Sequence, residues 1–76
     1  MNESQWLQAL GRTIRIVRDK KGYSQELLAE STGLNRTTIS LIETGQANIV
    51  FSNLVAISES LGISPTTLMA MCECEL

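Results

Sequence analysis

Gln25-Glu26-Leu27-Leu28-Ala29-Glu30-Ser31-Thr32-Gly33-Leu34-Asn35-Arg36-Thr37-Thr38-Ile39-Ser40-Leu41-Ile42-Glu43-Thr44 is the run that decides the fold of this chain. It reads as two short helices joined by only Gly33-Leu34-Asn35. So brief a link makes the helices cross steeply, and the second then projects from the body of the protein. Each requirement of that crossing is met by a residue in place. Ala29 is small where the helices touch, Gly33 can take the positive φ of the turn, and Leu28, Leu34, Ile39 and Ile42 are the apolar residues that lock the pair.

The rest of the chain is helical on both sides of this run. Gly22, Gly33, Gly45 and Gly62 each follow an apolar-periodic stretch and punctuate five helices. The first is predicted from about Ser4 to Lys21, with Trp6, Leu7, Leu10, Ile14 and Val17 as its stripe. The second begins after Ser24 and carries Leu27, Leu28 and Ala29; the third begins after Asn35; both residues are good N-caps. The fourth is expected after Ser52, with Leu54, Val55, Ile57 and Leu61 as its apolar set. The fifth opens on Ser64-Pro65, a cap followed by proline at the position where a missing N–H costs nothing. No strand pattern competes, and Asn48-Ile49-Val50-Phe51 is a short apolar link. The fold class is all-α, a five-helix bundle in one domain spanning residues 1–76.

Seventy-six residues build only a just-sufficient core, with little room for a catalytic pocket. There is no histidine, and no nucleophile–base set or carboxylate pair stands out, which argues against an enzyme and implies no cofactor. Hydrophobic residues are 43% and charged residues 18%, ordinary for a folded soluble protein. No apolar run approaches the roughly 18 residues of a membrane span, and nothing reads as a signal peptide, so the cytoplasm is the default location and no membrane partner is expected. The net charge is −2, which on bulk electrostatics disfavours a nucleic-acid partner. The distribution answers this in part. Arg12, Arg15, Arg18, Lys20 and Lys21 lie within ten positions, the only other basic residue is Arg36, and residues 46–76 carry Glu59, Glu73 and Glu75 but no Lys or Arg.

The chain resembles the XRE family, the Cro-and-phage-repressor type of helix-turn-helix domain. The resemblance covers about Leu10 to Leu68. It rests on Gly11-Arg12-Thr13-Ile14-Arg15, Arg18, Gly22-Tyr23-Ser24-Gln25-Glu26, Leu28-Ala29, Gly33-Leu34, Ile39-Ser40, Ile42-Glu43, Gly45 and Leu61-Gly62-Ile63. Within that family, Asn35-Arg36-Thr37-Thr38-Ile39-Ser40 and Asn48-Ile49 look most like the controller proteins of restriction-modification systems. The resemblance implies a lambda-repressor-like bundle that binds double-stranded DNA as a homodimer, on a palindromic operator, to regulate transcription. The third helix would lie in the major groove with its N-terminal residues on base edges.

On that implication Arg36, Thr37 and Ser40 are the base-contact candidates. A guanidinium can bond O6 and N7 of one guanine, a threonine methyl can pack on thymine, and a serine hydroxyl can reach a base edge or phosphate. Gln25 corresponds to a residue that bonds a backbone phosphate, and Tyr23, Ser24, Thr44, Gln46 and Asn48 are secondary phosphate candidates. Arg18 and Glu43 match an ion pair that joins the first helix to the end of the third. Plainer readings stand beside these: Arg36 as a solvated arginine at a helix start, Gln25 as a polar first-turn residue, and the Arg12–Lys21 cluster as a solvated helix face. Leu41 and Thr44 depart from the family, standing where polar or basic residues often extend the contact. With one basic residue between Ser24 and Leu76, few phosphate contacts and a shallow salt dependence are expected.

Ile49, Val50, Phe51, Val55, Ile63, Leu68 and Met71 make more apolar surface than so small a domain hides. Val50, Phe51, Ile63 and Leu68 are therefore expected at a dimer interface, the alternative being that all belong to the core. Cys72 and Cys74, two apart at the tail, lack a second ligand pair for a metal site and read as free thiols on a frayed end; no metal is expected. No small-molecule effector is evident. Two other functional classes remain: an antitoxin or adaptor that uses this fold to hold a protein partner, and a small catalytic or metal protein.

Overall fold

In a computed structural model describing residues 2–76, the helices are α1 (Glu3–Lys20), α2 (Gln25–Thr32), α3 (Arg36–Glu43), α4 (Phe51–Ser60) and α5 (Pro65–Cys74). No strand occurs among the described residues. α1 is the spine. It packs against α3 on one side and α5 on another, α2 packs on α3 and α4, and α4 packs on α5. α4 and α5 meet at a 93° bend across the break at residues 61–64, and no single helix is long and apolar enough to cross a membrane.

The helix starts follow their caps. Ser24 Oγ accepts from the Leu27 N–H at 3.0 Å, and Asn35 Oδ1 accepts from the Thr38 N–H at 2.7 Å. Ser64 likewise accepts from the Thr67 N–H, with Pro65 opening α5. α1 starts a residue earlier than the apolar stripe suggests, because Asn2 and Gln5 form a reciprocal capping box. α4 starts earlier still. Ser52 is not its cap: Val50 holds that position without a side-chain bond, and the Val50 carbonyl accepts from the Asn53 and Leu54 N–H groups. Ile49 packs against the core, and the chain turns into the helix directly after it, which leaves Phe51 at the first helical position.

One core unites the bundle. Ala9, Leu10, Ile14 and Val17 from α1 meet Leu28 and Ala29 from α2, Ile39 and Ile42 from α3, Ile57 and Leu61 from the α4 end, and Leu68 and Cys72 from α5. Each fully buried Leu or Ile contributes about 1.5–3 kcal/mol. Trp6, Tyr23, Leu34, Leu54, Ile63 and Met71 pack around this core. Leu27, by contrast, points outward.

Two expectations need correcting here. The C-terminal segment is not frayed: α5 runs through Cys74, and Cys72 is a fully buried core residue whose thiol donates to the Trp6 carbonyl. Leu68 is also fully buried. It has no surface to offer a second subunit and holds α5 onto the body instead.

A second feature had no counterpart in the apolar pattern. Gly11, inside α1, lies directly against the end of α3, where an added Cβ would stand 2.5 Å from the carbonyl oxygens of both Ile42 and Glu43. Gly45, just past α3 with φ +74°, faces Gln8, whose Cα would be 2.9 Å from such a Cβ. The two glycines let α1 and α3 touch backbone to backbone.

Candidate nucleic-acid interface

The site is built on the angle between α2 and α3. The turn residue Gly33 takes φ +78°, the left-handed conformation that ends α2. Leu28, Ala29, Ile39 and Ile42 then fix the two helices from behind. This places Gln25, at the first position of α2, beside Arg36, Thr37, Ser40 and Leu41 on α3, and the five line one shallow cleft. Arg36 and Thr37 are exposed and Ser40 is half-buried. Ile39 and Ile42, on the other side of α3, are in the core, so the helix turns its polar N-terminal residues outward.

A buried polar network braces the cleft from below. Arg18 Nε donates to Glu43 Oε2 at 2.6 Å and its terminal Nη2 to Oε1 at 3.1 Å. The other terminal nitrogen donates to the Tyr23 carbonyl at 2.7 Å and lies 3.2 Å from the Asp19 carboxylate. The Arg18 and Glu43 side chains are only 10% and 2% exposed. The hydrogen bond that Arg18 donates to Glu43 raises the Arg18 pKa, with burial opposing it, so the guanidinium stays charged. Gln25 extends the network outward, its Nε2 donating to Glu43 Oε1 at 3.0 Å. One amide N–H of Gln25 is committed to this bond, and the other has no partner among the described residues. The brace holds Gln25 in one orientation at the lip of the cleft.

The secondary candidates sit unequally. Tyr23 is half-buried and serves the network through its carbonyl. The Ser24 oxygen is occupied as the α2 cap, which leaves its proton able to donate. Thr44 donates back to the Ser40 carbonyl at 2.9 Å and to Leu41 at 3.2 Å, so its hydroxyl proton must change partner to reach a phosphate. Gln46 and Asn48 are exposed beyond the end of α3.

Arg36 carries a partner that spacing along the chain does not reveal. Its Nε lies 3.0 Å from Glu26 Oε1, across the angle between α3 and α2. Leu41 also joins the cleft, 39% exposed. On the face formed by α4 and α5, away from this cleft, Phe51, Leu54, Pro65, Thr66, Met69, Ala70 and Glu73 line an open apolar groove. Phe51 is 73% and Val50 59% exposed, while Ile63 is half-buried against the core.

Comparison with known proteins agrees with this architecture. A helix-turn-helix family model matches residues 14–68. A hypothetical transcription factor of Neisseria meningitidis serogroup B is 38% identical over 60 residues, 79% of this chain and 57% of the relative; the match thus spans little more than half of that protein. The control protein C.BamHI of Bacillus amyloliquefaciens is 42% identical over 60 residues, 78% of this chain and 74% of the relative. Among solved structures, the restriction-modification controller protein C.AhdI from Aeromonas hydrophila superposes with a TM-score of 0.80 at 37% identity, covering 82% of this chain and 94% of that one.

Proposed function

Because the chain belongs to the XRE-type helix-turn-helix family of DNA-binding regulators, we propose that it is a restriction-modification controller that binds a palindromic operator as a homodimer, in the cytoplasm. The observation that carries this reading is the α2–α3 cleft. Arg36, Thr37 and Ser40 project from one turn of an exposed helix, the geometry with which a recognition helix meets base edges in the major groove. Arg36 reads guanine, Thr37 and Ser40 read or brace the neighbouring positions, and Gln25 bonds a phosphate beside the N-terminus of α2. The unpaired N–H groups of that helix end favour an anion there. Ser24, Gln46 and Asn48 supply further neutral donors, and Tyr23 and Thr44 follow with smaller shares. The likeness to control proteins, one of them 42% identical, supports the regulatory role.

A single helix-turn-helix reads too few base pairs for useful specificity, so the second copy is part of the function. Two copies would place their recognition helices about 34 Å apart, a span that fits protomers of 32 × 21 × 20 Å. The interface is the exposed apolar face of α4 and α5, centred on Phe51 and Val50 and bordered by Ile63, Leu54 and Met69.

Selection of bound sequences from random duplexes tests the whole reading. The expected product is a two-fold symmetric consensus with its half-sites one helical turn apart. An asymmetric consensus would exclude the palindromic dimer, and no enrichment at all would exclude operator binding.

A further inference from the structure

Arg36 is the only Lys or Arg between Ser24 and Leu76, and it is not free. Its Nε lies 3.0 Å from Glu26 Oε1, with the two side chains 65% and 63% exposed. So open a pair adds little to folding stability, since solvent screens it and two long side chains must be ordered to form it. Its consequence is geometric. The contact tethers the guanidinium at the edge of the cleft formed with Gln25, Thr37, Ser40 and Leu41.

A guanidinium carries one N–H on Nε and two on each terminal nitrogen. A carboxylate lying beside Nε leaves the end edge of the guanidinium, one N–H from each terminal nitrogen, open as a fork that bonds O6 and N7 of one guanine. The same carboxylate neutralises the charge that would draw Arg36 to any phosphate within reach, and phosphate attraction is the part of DNA binding that carries no sequence information. The unit therefore gives up general affinity while keeping its directional donors. This accords with a chain whose net charge is −2.

We propose that Glu26 is a positioning residue for base recognition: it holds the Arg36 guanidinium at the edge of the cleft by an ion pair, leaves its end edge to a guanine, and withholds Arg36 from the phosphate backbone. It acts through Arg36 and raises discrimination at the expense of affinity. This rests on the reading of Arg36 as the base reader.

The test compares the wild type with E26A, E26Q, R36A and the E26A/R36A pair. Each is titrated with the selected duplex and with the same duplex in which the guanine most sensitive to R36A is replaced in both half-sites. The readout is the ratio of the two Kd values, which a change in stability alone does not move, and thermal melts establish that each variant is folded. E26A is expected to narrow the ratio about three- to tenfold, the cost of leaving one long side chain unordered before binding, and to tighten binding to random duplex. E26Q, which keeps the length of the side chain but removes the charge that forms the ion pair, is expected to narrow it as much as E26A. In the R36A background, E26A is expected to leave the ratio unchanged. If R36A collapses the ratio and E26A does not move it, Glu26 has no positioning role although Arg36 remains the reader. Narrowing by E26A but not by E26Q would show that the charge does not hold Arg36 and would overturn positioning by the ion pair. A ratio untouched by R36A would overturn the reading of Arg36, and this proposal with it.

Discussion

Arg18 and Glu43, 25 positions apart in sequence, are joined by two charge-assisted hydrogen bonds of 2.6 and 3.1 Å beneath the cleft between α2 and α3. The pair ties α1 to the last residue of α3, and through Gln25 it reaches the first residue of α2. A buried ion pair of this kind is weak evidence for net stability but strong evidence for geometry, because neither partner can be left alone.

Removing one partner should therefore be severe. Arg18→Ala or Glu43→Ala is expected to cost about 3–5 kcal/mol, read from urea unfolding, while an apolar pair such as Arg18→Met with Glu43→Leu recovers much of the loss. The double variant should still bind DNA more weakly than the wild type, since Gln25 then loses the acceptor that orients it. Full binding by a stable double variant would show that the brace has no part in the interface.

Gly11→Ala is expected to destabilise the fold by about 1–3 kcal/mol or more, although alanine is the better helix former. The added methyl meets two carbonyl oxygens of the α3 end at 2.5 Å, and these are backbone atoms that cannot swing aside. A thermal melt of the variant decides this, and a rise in Tm would mean that α1 and α3 do not lie so close.

Phe51→Glu should separate the proposed dimer without unfolding the protomer, because the ring is 73% exposed and contributes little to the core. Sedimentation at tens of micromolar is expected to show a dimer for the wild type and a monomer for the variant, with helical circular dichroism unchanged. Leu68→Ala makes the contrast: this fully buried side chain should cost about 2–5 kcal/mol of stability rather than dimerisation as such. A dimeric Phe51→Glu variant would place the interface elsewhere.

The two cysteines should behave differently. Cys74 is exposed and Cys72 buried, and burial raises the Cys72 thiol pKa while Arg12 opposes it. One thiol is thus expected to react with Ellman's reagent in the native protein and two in denaturant. The pH dependence follows in sign. A thiol whose pKa is raised by folding contributes stability that is fully present below its unfolded value, about 8.5, and is lost as pH rises through the folded value. Unfolding free energy should fall above that point, and Cys72→Ala should flatten the fall. Equal reactivity of both thiols in the native state would contradict the buried placement.

Much of this was legible along the chain. Ser24, Asn35, Ser64 and Pro65 mark helix starts because capping is a local contest between a side chain and the first free N–H groups, settled within three or four residues. Gly33, Leu28, Ile39 and Ile42 mark the crossing because its turn and contacts are also local. Ser52 is a good capping residue, yet α4 starts before it, since a cap predicts a start only where the tertiary structure does not begin the helix sooner. Leu68 and Phe51 were indistinguishable as apolar residues near the C-terminus, yet one is wholly inside and the other mostly outside. No neighbouring residue marks the partners of Glu26 and Gly11, because those partners lie on another helix.

The sequence by itself determined the five helices, the angled pair at their centre and the residues that pair turns outward, for these follow from periodicity, caps and one turn within short stretches of chain. Only the tertiary structure decided that Glu26 meets Arg36, that Gln25 leans on Glu43, that Gly11 seats the end of α3, and that Cys72 and Leu68 belong to the core. Those are contacts between separate helices, and their existence depends on how the helices pack, which no local pattern encodes.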